Sequence, residues 1–347
     1  MRINRGYTDF LAGIKKISFD KNEFRPFQDD IQRACHFFSI GKLRYYKKEG
    51  GGDFIHTNPL IFVVTSQGKH TLKFYPLDAA KQIVIESAVN RYLINQRFPT
   101  PAMHMGHDGQ PFWASNGRLA ACYSYVDGFP VWERIGQRNV VRKINTALLS
   151  LKNFLSRAEH IPFKKEENLT TLIKKLANSS CALAPYDQKE MIDAFLLCAG
   201  QTYQYHGLLF TRQRLHNDAN LTNFLVHKKT IYALDLSHVR EDYALADLAS
   251  LVLSCIYFGA PLTMVKIAAK DYFTQHKIAH KFSPVLNTLV RIGLIDNYIG
   301  KIEREKSMDL PAYPPDLRRT HISQLLARKK IIIAVLKKMR DNPRFLV

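Results

Sequence analysis

Acidic residues are in short supply: 30 Asp and Glu stand against 50 Lys and Arg, leaving a formal charge of +20 on 347 residues. Cysteine is scarce as well. The five present (Cys35, Cys122, Cys181, Cys198 and Cys255) are odd in number and contain no C-x-x-C pair. A disulfide framework is therefore not expected, and neither cysteines nor histidines fall at zinc-site spacing. The opening stretch, MRINRGYTDFLAGIKK, has no apolar run of signal-peptide length. Together these absences set the expectation of a reducing, cytoplasmic setting. The longest apolar run, Leu248–Val265, directly follows Asp247 and contains Gly259 and Pro261, so it reads as a buried helix and its exit, not a membrane span. There is no internal repeat and no low-complexity linker. The positive charge is densest over Lys164–Lys175 and Arg318–Arg344, and no helix-turn-helix, zinc-finger or aromatic-platform signature accompanies it. Nucleic acid is not an expected partner. A solvated basic face or weak association with an anionic surface both fit the charge.

What is present fits a folded protein: 46% of residues are hydrophobic and 23% charged. At roughly 100–200 residues per domain, the length suggests two domains or one large bilobal one. The first third reads as strand and turn. Leu43–Lys48 is a candidate strand, and Gly50, Gly51 and Gly52 must lie in a turn or loop. Leu60–Thr65 is apolar and β-branched, Ser66-Gln67-Gly68 marks a turn, and His70–Tyr75 is the hairpin partner, with Lys73 in mid-strand. Helical periodicity covers Lys81–Gln96, Pro99 and Pro101 break it, and Leu119–Val126 is a further strand ending at Asp127-Gly128. Beyond that the pattern turns helical, through Val140–Leu155 and Asp187–Tyr205. It is interrupted by β-type sequence at Leu215–Leu236, then resumes from Asp247 and includes Ile322–Met339. The expected architecture is α+β and bilobal: a small mixed β/α N-lobe over residues 1–126, and a larger, mostly helical C-lobe over residues 127–347.

The most informative segment is Leu215–Val226, in which His216, Asp218 and Asn223 stand in the pattern H-x-D-x-x-x-x-N. Phe224–Val226 and Ile231–Leu234 are short apolar strands joined by the polar turn His227–Thr230. Folded as a hairpin, they bring Asn223 and Asp235 to the same open end. An amide oxygen and a carboxylate there suit Mg²⁺, a hard cation that keeps waters and borrows phosphate oxygens. Asp218, on the preceding loop, would be free to accept a proton. This is the equipment of phosphoryl transfer, in which the protein positions the nucleophile and neutralises phosphate charge.

In these residues the chain resembles the kinase-like phosphotransferases that include aminoglycoside, choline and second-type homoserine kinases, which share the protein-kinase core. The resemblance rests on His216–Asn223, on Asp235, and on Asp247-Leu-Ala249 downstream, and it extends over residues 40–255. It implies that Lys73 contacts the α/β phosphates of ATP and that Glu86, on the following helix, orients it. It also implies that Asn223 and Asp235 hold Mg²⁺ and that Asp218 serves the acceptor hydroxyl of a small molecule. Asn116–Gly128 looks like the strand and hinge of that family, which makes the backbone at Tyr123 and Tyr125 the place for adenine. Gly50, Gly51 and Gly52 stand where a nucleotide loop would be, although a plain hairpin turn accounts for them equally. The sequence departs from the pattern in three places: there is no G-x-G-x-x-G, Asn217 replaces a customary glycine, and Asp235-Leu-Ser237 replaces Asp-Phe-Gly. No Ala-Pro-Glu segment follows. His216 reads as a structural histidine, and Asp247 as a helix cap or a brace for the loop. Two other readings stay open, a catalytically silent nucleotide-binding pseudokinase and a basic surface-binding scaffold.

Overall fold

The computed structural model describes residues 25–50, 60–115, 118–134, 136–161, 163, 193, 196, 200, 212–279, 283–307, 329–342 and 345–346. The first half is an antiparallel sheet flanked by two helices. Its strands are β1 (Leu43–Gly50), β2 (Leu60–Thr65), β3 (Gly68–Pro76), β4 (Met103–His104), β5 (Trp113–Ser115) and β6 (Arg118–Ser124). They lie in the order β1-β2-β3-β6-β4, with β5 also paired to β6. The β2–β3 register closes tightly at Thr65 and Gly68. Lys73 on β3 sits opposite Ala121 on β6.

Because side chains alternate along a strand, the sheet has two distinct faces. Tyr75, Leu119 and Ala121 on one face pack against Ile83 of helix α2 (Ala80–Asn95). Leu72, Phe74, Ala120 and Cys122 on the other are covered by helix α1 (Arg25–Phe37) through Ile31, Ala34 and Cys35. The strand-and-turn reading of the first third passes over α1, whose buried positions 31, 34, 35 and 38 recur at helical spacing. β6 ends at Ser124, two residues before the sequence suggests, because its partner β3 runs out at the Ser66–Gly68 turn.

The second half is mostly helical: α3 (Arg138–Leu155), α4 (Ala246–Tyr257), α5 (Leu262–Gln275), α6 (Ser283–Ser307) and α7 (329–341). Set into it are β7 (Phe129–Pro130), the hairpin β9 (Phe224–His227) with β10 (Thr230–Ala233), and the pair β8 (Arg212–Leu215) with β11 (Arg240–Tyr243). The expected helix Asp187–Tyr205 and the first part of Ile322–Met339 fall largely outside the described residues. One core unites α3, α4, α5 and α6 through Ile144, Leu148, Leu251, Ala268 and Leu294, and it extends to Val89, Leu93 and Phe98 at the far end of α2. The two halves are thus joined by packing as well as by the chain. Among the described residues, no helix is long and apolar enough to cross a membrane.

α1 is also latched to the loop after β4. His107 N–H donates to the Phe37 carbonyl at 3.0 Å, and Gly106 lies so close that an added Cβ would stand 2.1 Å from the Phe37 ring. Gly106→Ala should therefore force that ring aside, at a cost of about 1–3 kcal/mol. Urea unfolding would read this directly, and an unchanged midpoint would mean that α1 is not fixed there.

Candidate active site

The loop after β8 is built by hydrogen bonds from several elements. Asn217 adopts left-handed backbone (φ 62°), a region that Asn enters more readily than most residues. This explains how it stands where the resemblance expects glycine. Asp247, fully buried in the first turn of α4, accepts the N–H groups of His216 at 3.2 Å and Asn217 at 2.6 Å. Burial raises the Asp247 carboxyl, against the pull of the His216 charge and of those two N–H groups. The His216 ring donates from Nε2 to the carbonyl of Leu234 at 2.8 Å, since a carbonyl can only accept. His216 thereby ties the loop to the residue preceding Asp235. Ser254 of α4 accepts Leu221 N–H at 2.9 Å and donates to Asn220 Oδ1 at 2.7 Å. No spacing rule pointed to Asn220 and Ser254, because their partnership depends on how α4 packs.

On this frame Asn223 Nδ2 donates to Asp218 twice, to the side-chain Oδ2 at 2.8 Å and to the backbone carbonyl at 3.0 Å. The hairpin closes with Leu234 N–H on the Asn223 carbonyl at 2.8 Å, which puts Asn223 and Asp235 at one open end. Asp235 itself has left-handed backbone, φ 52°. Its Oδ1 accepts from Lys73 Nζ at 2.7 Å and from Ser237 Oγ at 2.5 Å. Burial pushes the Asp235 carboxyl up, but the adjacent Lys73 charge and these hydrogen bonds outweigh it and hold the group at about 2, below its ordinary 3.8. Two further contacts cross between the halves here: Gln82 of α2 donates to the Ser237 carbonyl at 3.3 Å, and Ala233 N–H donates to the Pro99 carbonyl at 3.1 Å.

Glu86, expected to orient Lys73, finds its hydrogen-bond partners elsewhere. It is 2% exposed, and its carboxylate accepts from Tyr123 at 2.8 Å and Tyr75 at 3.1 Å, the two hydroxyls themselves lying 3.0 Å apart. Lys73 bonds to Asp235 instead, its Nζ 4.9 Å from the centre of the Tyr75 ring. Glu86 thus feels the Lys73 charge without bonding to it, its two oxygens being taken by a tyrosine cage. The Tyr123 side chain belongs to that cage, a placement that sequence reasoning, which had considered only its backbone, did not foresee. In the segment expected to meet adenine, Ser124 N–H already donates to Ala102 at 2.8 Å and Tyr125 N–H to Lys69 at 3.3 Å. The Tyr125 ring packs on Phe62 at 4.7 Å. Gly50 ends β1 opposite Leu60, while Gly51 and Gly52 lie outside the described residues.

The arrangement therefore brings Lys73, Glu86, Asn223, Asp235 and Asp218 into one connected region. Its donors suit a hard cation: beyond the contacts above, Asn223 has its one side-chain oxygen, Oδ1, and Asp235 its Oδ2.

The sequence profile of a family described as "Phosphotransferase enzyme family" matches residues 56–279, and the chain belongs to that family. A search of curated protein sequences finds no match. Among solved structures, the chain is similar to the amicoumacin kinase hAmiN, solved with AMP-PNP, Ca²⁺ and Ami, at a TM-score of 0.66 and 13% identity over 89% of this chain and 93% of that one. It is also similar to a microcompartment-associated aminopropanol kinase (TM-score 0.65, 12% identity, 91% and 98% covered). A choline kinase from Cryptosporidium parvum Iowa II gives 0.62 and 14%, with 92% and 98% covered. At these identities the likeness is one of fold, and the fold is the α+β, bilobal, kinase-like one.

The buried carboxylate yields a test. Burial holds Glu86 above its ordinary 4.5, the Lys73 charge pulling the other way without prevailing. The folded chain then keeps a proton that the unfolded chain has already released. The stability Glu86 contributes is full below 4.5 and fades as pH rises through the folded value. Glu86→Gln, which cannot titrate, should lack this decline and gain on the wild type as pH rises. Urea midpoints measured from about pH 4 to about pH 8 would show the two curves diverging, and parallel curves would refute the burial argument.

Proposed function

We propose that the protein is an ATP-dependent phosphotransferase that moves the γ-phosphate of Mg-ATP to a hydroxyl of a small molecule: an amino alcohol, an amino acid or a sugar. The observation that carries this reading is the 2.7 Å contact between Lys73 of the sheet and Asp235 of the hairpin, with the Asn223–Asp218 pair on the same hairpin end. In this reading residues 1–126 form the nucleotide lobe and residues 127–347 the catalytic and acceptor lobe, working in the cytoplasm. Lys73 meets the α/β phosphates from a strand that cannot shift, because β2 and β6 flank it. The glycines at 50–52 and the backbone around Tyr123 and Tyr125 border the nucleotide. Glu86, held by Tyr75 and Tyr123, stands behind Lys73.

Asn223 and Asp235 would hold Mg²⁺, which supplies neutralisation of phosphate charge when bound. Asp218 orients the acceptor hydroxyl and takes its proton as the oxygen bonds to the γ-phosphorus and the bond to the β–γ bridging oxygen breaks, releasing ADP. The Asn223 hydrogen bond fixes the Asp218 carboxylate for this and leaves Oδ1 for the hydroxyl. The low Asp235 pKa keeps that carboxylate ionised at any physiological pH. The homoserine-kinase look of the first lobe favours a small amino-acid or amino-alcohol acceptor. The scarcity of acidic residues weighs against polycationic acceptors, which an acidic pocket would usually meet.

ADP release should be stimulated by one acceptor class in a panel of homoserine, choline, amino sugars, aminoglycosides and lipopolysaccharide-core sugars. Asp218→Asn should lower kcat by about 10²–10⁴-fold while nucleotide affinity stays close to the wild type. Asp235→Asn should instead weaken binding of Mg-ATP, and unchanged affinity there would remove the metal assignment. Nucleotide binding without turnover for any acceptor would favour the silent-module reading.

A further inference from the structure

The face of the sheet turned away from Lys73 carries a second cluster with different chemistry. His70 on β3, His104 on β4 and Cys122 on β6 each present one ligand atom, and these atoms lie within 4.8 Å of one another. Strand pairing produces the cluster: His104 is directly opposite Cys122, and His70 is opposite Ser124, one same-face position further along β6. Cys122 is fully buried and its thiol is free. His70 is 8% exposed, and neither of its ring nitrogens has a hydrogen-bond partner. An imidazole buried with both nitrogens unsatisfied is costly, about 1–3 kcal/mol for each hydrogen bond left unmade. His104 is held in place by its Nε2 contact with Ser124 Oγ at 3.1 Å, and the two imidazoles meet edge to face at 5.1 Å.

We propose that His70, His104 and Cys122 form a binding site for one Zn²⁺ ion that clips β4 to β3 and β6. Two imidazoles and a thiolate are the donor set for a borderline-soft ion and a poor one for Mg²⁺ or Ca²⁺. Three protein ligands leave a fourth position for water. The hydrogen bond to Ser124 fixes the His104 ring in the manner of the outer partners that support metal-bound histidines. Burial lowers the pKa of both histidines, with the His104 charge adding to the effect on His70, and this favours the neutral ring that binds metal. Burial pushes the Cys122 thiol up, so on binding the metal must displace that proton to solvent as the sulfur bonds to zinc. The site serves the fold: β4 pairs with β6 over two residues alone, and a metal would fasten that short strand behind the segment where β6 leaves the sheet.

The test uses the full chain, stripped with a chelator and titrated first with Zn²⁺ and then with Co²⁺ as a spectroscopic stand-in. One equivalent should bind and raise the thermal midpoint, and Co²⁺ should give a thiolate-to-metal charge-transfer band in the near ultraviolet. Cys122→Ser should lose that band. His70→Gln and His104→Gln should each weaken affinity by about tenfold or more. His36→Ala, a change at an exposed histidine outside the cluster, should alter nothing. Circular dichroism of each metal-free variant separates lost binding from lost folding. Binding that survives both Cys122→Ser and His70→Gln, or Co²⁺ spectra without the thiolate band, would overturn the proposal. So would no uptake by the folded wild type.

Discussion

The Lys73–Asp235 ion pair is the contact to which the other features of the site answer. Lys73 is 7% exposed, and removing an ammonium from water costs several kcal/mol unless a partner is close and well oriented. That requirement fixes the position of β3 against the β9–β10 hairpin, because the two groups come from opposite halves of the chain. The hairpin meets it by holding Asp235 in left-handed backbone and bonding its carboxylate from Ser237 as well. The halves are further pinned by Gln82 on Ser237 and by Ala233 on Pro99. A second carboxylate, Glu86, lies near enough to influence both members of the pair electrostatically. Two tyrosine hydroxyls satisfy it, so it does not compete with Asp235 for the lysine hydrogen bond. The cost of taking Lys73 and Glu86 out of water is thereby spread over one connected set of partners.

Much of this was legible in the sequence, and its legibility followed contact range. The spacing of His216, Asp218 and Asn223 is local, the hairpin to Asp235 is local, and the turn at Ser66–Gly68 announces itself. These features appear where residue periodicity and turn chemistry place them. Lys73 was legible as a mid-strand lysine because β2 and β3 have clear β-type patterns. The partners of Glu86 were not legible, because Tyr75 and Tyr123 reach it through sheet register and helix packing, which no local pattern encodes. The braces of the loop divide in the same way. Asp247 could be read as a cap or brace from its place before an apolar helix, whereas Ser254 on the following turns gave no signal. α1 was missed although its burial period is helical, since its apolar positions are few and mixed with charge.

The cluster on the other face shows the same limit from the opposite side. Zinc spacing is sought within a loop or across a few residues, and by that criterion the chain has none. Residues 70, 104 and 122 become neighbours only because three strands lie side by side in the order β3-β6-β4. A search restricted to linear spacing cannot find a site assembled across a sheet, and an absence of motif is weak evidence about such a site.

The two clusters are also kept apart by strand geometry. β3 carries His70 and Leu72 to one face but Lys73 and Tyr75 to the other, and β6 divides Cys122 and Ser124 from Ala121 and Tyr123 in the same way. One-residue steps along two adjacent strands thus separate hard ionic chemistry, turned toward the helical half, from soft neutral donors turned toward α1. Because a one-residue slip would exchange every side chain between the faces, the pairing of β3 with β6 has to be held strictly. The part-buried ion pair, the caged carboxylate and the packed back face each disfavour the slipped register, since each would leave polar groups in the wrong environment. Register is therefore what the ionic site and the back face share: they use one sheet without sharing a ligand, and a change that loosened the pairing of β3 with β6 would damage both together.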